Sequence, residues 1–271
     1  MPRAIWSGAI SFGLVNIPVK LVTAVDRKAV RFREIRRRDN SRIRHQKVAA
    51  ADGEEVTPDE VVKGYEIAPD RYVVLDPDEL KALAPESSRA IEIEDFVELA
   101  DIEPLYYDSS YYLVPGDTAA KPYALLHTAM RESGKAAVAR FVLRTKQHLA
   151  IIRPVGDALA VSTVVYHDEV IPTSKLDGLP GEEVAPNERE LAMANQLIES
   201  MTVEWEPERY SDTHREQVLE LIERKASGED VTAVPEPERE AGDVVDLVAA
   251  LEASLAAARG DSDGGSTAES A

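Results

Sequence analysis

Between residues 4 and 166, apolar side chains recur at roughly every second position in short runs, and the runs are broken by glycine, proline, aspartate and asparagine. A period of two belongs to strands with one buried face, so most of this segment has to be β-structure. Ile5, Val15, Ile17, Val19, Leu21 and Val25 read as two strands bent at Gly13 and Asn16, with Pro18 marking an edge or bulge position. Over residues 29–37, Val30, Phe32 and Ile35 alternate with Arg31, Arg33 and Arg36, which predicts an apolar face and an arginine face. A turn at Asp39-Asn40 leads into a partner strand through Ile43 and Val48, and Asp52-Gly53 marks the next reversal. Short strands continue through Tyr72–Leu75, Ile91–Phe96 and Tyr111–Val114, with a brief helix after Asp76-Pro77. Residues 119–133 alone shift to helical spacing, with Tyr123, Leu126, His127 and Met130 on one face and Gly134 as the cap. Strands resume over 136–166, where Gly156-Asp157 joins Ile151-Ile152 to Val161–Val165. Many short strands around one inserted helix predict a barrel-like β domain.

The last third reads differently. Pro172, Gly178, Pro180, Gly181 and Pro186 make a loop that closes a core spanning 1–186. Asn187 and Glu190 have capping-box spacing and open a helical arm over 187–228, first with Leu191, Ala194, Ile198 and Met201 on one face. A second helix starts near Ser211 or Asp212 and presents Val218, Leu221 and Ile222 before Gly228. Residues 229–242 read as a linker, 243–259 as a terminal helix and 260–271 as a disordered tail. The apolar stripe Val244, Val248, Leu251 and Leu255 needs a docking surface, on this chain or on a partner.

Charge narrows the function. The formal net charge is −19, yet Lys20 to Lys47 holds eleven Lys or Arg against three acids, and Lys121 to Arg153 holds seven against Glu132 alone. Concentrated cations on an acidic chain attract nucleic acid locally and discourage it elsewhere. There is no cysteine, so disulfides, thiolate metal sites and thiol nucleophiles are excluded. No apolar run approaches the roughly 20 residues that span a bilayer, and the interrupted N-terminus reads against a signal peptide, so a cytoplasmic protein is expected.

Catalytic signatures are lacking. Gly8–Gly13 has the glycine spacing of a phosphate loop, but Leu14 and Val15 stand where that loop needs Lys and Ser or Thr. His45, His127, His148, His167 and His214 are scattered, and in the extended triplet His167-Asp168-Glu169 neighbouring side chains point to opposite faces. Glu92, Glu94, Asp95, Glu98, Asp101 and Glu103 could hold a divalent metal as a nuclease does, but their alternation reads better as a solvated face. No cofactor and no catalytic residue is expected.

Several blocks carry a family resemblance. Residues 3–20, Arg-Ala-Ile-Trp-Ser-Gly-Ala-Ile-Ser-Phe-Gly-Leu-Val-Asn-Ile-Pro-Val-Lys, closely resemble the N-terminal signature of bacterial Ku. So do Asp52-Gly53 with Val61–Glu66, Tyr106–Asp108 with Tyr111–Leu113, Trp205–Pro207 with Tyr210–Asp212, and Val245–Leu255. The resemblance implies an α+β fold: a β-barrel-rich core with bridging strands forming a dimeric ring, an inserted helix and an α-helical C-terminal region. It implies a homodimer that threads onto double-stranded DNA ends irrespective of sequence and recruits the repair ligase, ligase D, for non-homologous end joining. Such binding uses phosphate contacts, which position without specifying, and arginine suits them. Arg31, Arg33, Arg36, Arg37, Arg38, Arg42, Arg44 and Lys47 are the first candidates for the channel lining. Arg140, Arg144 and Lys146 are the second, in a region that resembles the family's DNA-encircling bridge. Many members end in a lysine-rich tail, whereas residues 260–271 here are acidic, which leaves binding to the channel and makes it strongly salt-sensitive.

Overall fold

Seven strands close into a barrel in the computed structural model, which describes residues 3–83, 89–181, 184–228, 248, 250–252 and 254–256. In chain order the barrel strands are β1 (Ala4–Phe12), β2 (Val15–Thr23), β5 (Ala90–Glu98), β6 (Tyr107–Pro115), β7 (Lys135–Leu143), β8 (Lys146–Val155) and β9 (Ala158–Val164). Around the barrel they run β1-β2-β6-β9-β8-β7-β5, and a parallel pairing of β5 with β1 (Ile10 opposite Ile91) completes the circle. β3 (Lys63–Ala68) and β4 (Arg71–Leu75) form a separate two-stranded sheet, followed by the short α1 (Pro77–Ala82).

The two-residue period fills the barrel. Ile10, Ile17, Val19, Leu21, Ile91, Leu113, Leu159 and Val161 point inward, and Ala137, Ala139 and Ala150 leave room for Phe141. Seven strands enclose a narrow interior, which takes large side chains from one wall only if the opposite wall is small. Helix α2 (Ala120–Ser133) closes one end, with Tyr123, Leu126, His127 and Met130 as its buried face, the set expected from spacing. Its C-cap Gly134 takes φ +69°, where a side chain would be strained. The Tyr123 hydroxyl donates to the Leu113 carbonyl (2.6 Å) and accepts from the Leu159 N–H (2.7 Å), which ties the helix into the β6–β9 ladder. Gly8 is required for another reason: a Cβ there would lie 2.2 Å from both the Arg89 carbonyl oxygen and the Trp6 ring.

Two expectations for the first unit's strands change. Pro18 lies on an interior strand of the closed barrel rather than on an edge. It opposes Ala9, whose N–H turns away to Arg89, and the Pro18 carbonyl accepts from Gly116 (2.8 Å), so the missing donor interrupts no bond to β1. Residues 29–48 form no regular strand pair; isolated bridges Ile35↔Arg42 and Val48↔Glu55 are all that register there. With no sheet beside them, Phe32, Ile35, Ile43 and Val48 are exposed, so the expected buried apolar face does not exist within one chain.

Residues 1–175 and 176–271 fall into two compact units. In the second, Asn187 caps α3 (Glu188–Met201) reciprocally with Glu190, and Asp212 caps α4 (Thr213–Ala226) by accepting from the Arg215 N–H. The expected stripe on α3 is turned outward: Leu191, Ile198 and Met201 are exposed, while Met193, Ala194 and Leu197 are half-buried. On α4, Val218 is half-buried but Leu221 and Ile222 are exposed. Of the terminal segment, Leu255 is buried and Glu252 pairs with Arg189 of α3 (3.2 Å). The linker over 229–242 and the tail over 260–271 lie outside the described residues. Among the described residues, no helix is long and apolar enough to cross a membrane.

Candidate nucleic-acid interface

After Thr23 the chain leaves the barrel as an extended arm whose reversals are held by local polar chemistry. At the first reversal, Arg36 N–H donates to the Ser41 carbonyl (2.8 Å), Ile43 N–H to Glu34 (3.0 Å) and Asn40 N–H to Arg36 (2.8 Å), with Asn40 at φ +55°. Asparagine tolerates that left-handed conformation. Asp39 binds the turn together: its Oδ1 accepts from Arg36 Nε (3.0 Å) and from the Ser41 hydroxyl (2.8 Å). The Arg36 guanidinium first, and Ser41 second, hold the Asp39 carboxyl down to about 2. The second reversal uses Asp52 Oδ1, which accepts from Glu54 N–H (3.0 Å), and Gly53 at φ +77°.

The bridge between Ile35 and Arg42 places these two on one face of the arm, and by the same register Arg33 and Arg44 join them. The opposite face carries Glu34, which meets His45 at 2.7 Å. Ile35 therefore accompanies the arginines instead of lying opposite them. Arg31 lies near Asp26, and Arg36 is committed to Asp39. Arg33, Arg37, Arg38, Arg42, Arg44 and Lys47 make no ion pair among the described residues. Six unneutralised cations on an exposed arm repel one another unless an anion lies between them.

The second basic stretch divides. Arg140, Arg144 and Lys146 belong to the barrel itself: Arg140 lies on the outer face of β7, Arg144 in the β7–β8 turn and Lys146 at the start of β8. Arg140 Nε is 2.8 Å from Glu94 Oε1, and Lys135 pairs with Glu98. Arg144 adopts φ +62°, a conformation that costs a bulky residue and favours glycine or asparagine. Strand directions put the β7–β8 turn, the start of β6 and the departure of the arm after Thr23 at the same end of the barrel, opposite α2. Tertiary structure thus brings Arg144 and Lys146 to the root of the first basic stretch. Lys121, Arg131 and Lys135 go to the other end.

That shared end also carries polar side chains whose contacts no local spacing signals. Asp108 accepts from the Thr163 hydroxyl (3.1 Å), and Tyr106 OH meets His167 Nδ1 (3.2 Å). Burial first, and the Lys146 charge second, push the His148 imidazole below its ordinary value. Arg27 lies beside residues 108–112, an adjacency that no local pattern signals.

The acidic strand β5 does not assemble a centre. Glu94 and Glu98 are each engaged by a cation of β7, and no group of three His, Asp or Glu able to hold a metal occurs among the described residues.

The family model described as the Ku70/Ku80 beta-barrel domain matches residues 11–193. A "Non-homologous end joining protein Ku" from Anaeromyxobacter sp. (strain K) is 51% identical over 260 residues, covering 96% of this chain and 87% of the relative. Proteins of that name from Bacillus subtilis (strain 168) and Heliobacterium modesticaldum (strain ATCC 51547 / Ice1) are 39% and 42% identical, each over 93% of this chain and over 81% and 91% of their own lengths.

Proposed function

This chain belongs to the Ku family, and on that premise we propose that it binds the ends of double-stranded DNA, irrespective of sequence, in non-homologous end joining. The observation that carries the reading is the set of unneutralised cations, Arg33, Arg37, Arg38, Arg42, Arg44 and Lys47 on the arm, rooted at the barrel end that also bears Arg144 and Lys146. Guanidinium forks matched to phosphate oxygens bind any sequence alike.

The working form in this reading is a homodimer that closes into a ring. Its support is the unpartnered apolar surface of the arm and of β3–β4, where Tyr65 (67% exposed) and Val73 share one face and Tyr72 and Val74 (61% exposed) the other. An isolated two-stranded sheet is marginal in water, and covering both faces with a second copy stabilises it. A closed ring admits only a duplex with a free tip, which selects ends without reading bases. The chain then serves as a scaffold that recruits ligase D and performs no chemistry itself. Its place would be the cytoplasm, on the nucleoid.

Retention on linear and covalently closed circular duplex of equal length tests the reading. Stable, salt-sensitive retention on linear DNA with little on closed circles is expected. Equal affinity for both would defeat threading, and cleavage of linear DNA in magnesium that is lost in Glu92→Gln/Glu94→Gln would favour a nuclease on β5 instead.

A further inference from the structure

β2 pairs with β6 only as far as Thr23 opposite Tyr111, and one further bond, Ala24 N–H to the Ser110 carbonyl (3.4 Å), ends the ladder. Below it the start of β6 is paired with β9 alone, and the root of the arm runs beside it. Between them lies a groove lined by Asp26, Arg27, Arg31, Asp108, Ser109 and Tyr112, among others.

Both carboxylates of this groove already have partners. Asp26 is held by Lys28 (2.7 Å), and Asp108 accepts from the buried Thr163 hydroxyl. Arg27 and Arg31 make no ion pair among the described residues, and no hydrogen bond is formed by the hydroxyls of Ser109 and Tyr112 there. Lys28, outside the lining, pairs with Asp26, so the two lining cations Arg27 and Arg31 meet one carboxylate that no cation holds, Asp108, an excess of one positive charge. That balance suits a singly charged anion better than a dianion. Two forked donors and two hydroxyls match the oxygens of a tetrahedral group.

We propose that this groove holds one phosphodiester of the DNA backbone, with Arg27 and Arg31 donating to its oxygens and Ser109 and Tyr112 completing the cradle. The inference rests on the reading of the chain as a DNA binder and adds to it a binding point at the arm's root. It sets the point where the duplex meets the barrel, a distance along the chain from the cations at the tip.

Fluorescence anisotropy of the full chain on a labelled blunt duplex, over a series of salt concentrations, tests it. In Arg27→Ala/Arg31→Ala the affinity should fall about tenfold at moderate salt, and the slope of log K against log salt should flatten by about 0.9, the value for one phosphate. Asp26→Asn should shift the affinity the other way, by about twofold, because it removes an anion beside the bound phosphate. An unchanged slope in the double variant overturns the groove, whether or not the affinity changes. If the double variant matches the unsubstituted chain while that chain still binds duplex, only the groove falls. If the unsubstituted chain binds no duplex, the functional reading falls with it.

Discussion

Arg36 and Asp39 clasp each other across the tip of the arm, Nε to Oδ1 at 3.0 Å, so one of the three consecutive arginines at the tip is committed to shape. Its neighbours Arg37 and Arg38 make no such bond among the described residues. The run of three therefore holds one candidate ligand that also sets the turn, Arg36, and two that are not tied to it, Arg37 and Arg38.

Replacing Arg37, Arg38 and Arg42 with Ala should weaken binding to every duplex sequence alike. The salt slope should flatten by about 0.9 for each phosphate that is no longer neutralised. Anisotropy at several salt concentrations reads both quantities. Sequence-dependent weakening would point to base recognition and contradict the backbone mode.

Arg36→Ala should act differently, by loosening the tip. The Asp39 carboxyl, held at about 2 chiefly by Arg36, should rise toward 3.8, the value of an unperturbed aspartate. Because its folded value is depressed, the clasp is fully present above the unfolded value and is lost as pH falls from about 4 toward about 2. Carboxyl-carbon chemical shifts of Asp39 against pH check this. An unmoved titration in Arg36→Ala would show that Ser41 alone suffices.

Tyr123→Phe removes a hydroxyl that serves the Leu113 carbonyl and the Leu159 N–H at once. Two buried backbone groups lose a partner, so the barrel unit should lose about 1–3 kcal/mol. Urea unfolding followed by far-ultraviolet dichroism measures it, and an unchanged midpoint would show that water or a ladder bond takes over.

Gly8→Ala should destabilise by about 1–3 kcal/mol, since its Cβ would lie 2.2 Å from the Arg89 carbonyl oxygen, a backbone atom that cannot swing aside. The same unfolding experiment reads this. The loss should exceed that of Gly13→Ala, which meets no atom within 4 Å but sits at φ +57°.

Tyr65→Glu/Val73→Glu places two charges on one face of the β3–β4 sheet. Sedimentation equilibrium should show self-association weakened at least about tenfold, as expected when charge enters the apolar centre of an interface. Unchanged association would move the dimer interface elsewhere on the chain.

The local rules that sequence alone can express were decisive for much of the molecule. Alternation placed β1, β2 and β5 to β9, helical spacing named the four buried residues of α2, and Asn187 with Glu190 marked the start of α3. Asn40 and Gly53 carry the positive φ that their turns demand. Each of these depends on residues a few positions apart, where backbone geometry alone fixes who meets whom. The long opening block and the later blocks also identified the family, which the matches over most of the chain establish.

What sequence could not determine depends on neighbours far apart in the chain. Alternation reports which side of a strand is apolar but not whether anything covers that side, so the arm reads as a buried hairpin although its apolar residues are exposed. The same limit hides why Pro18 fits an interior strand and why Leu191 and Ile198 face outward on α3. Arg140 has no acidic partner nearby in the chain, and only the pairing of β5 with β7 brings Glu94 to 2.8 Å from it. Nothing local sets Arg27 apart from the other cations of the first basic stretch, and it gains its place beside Ser109 only because β2 ends where it does. Barrel closure made these decisions: joining β5 to β1 brings together strands some eighty residues apart, and no short-range pattern encodes a pairing at that separation.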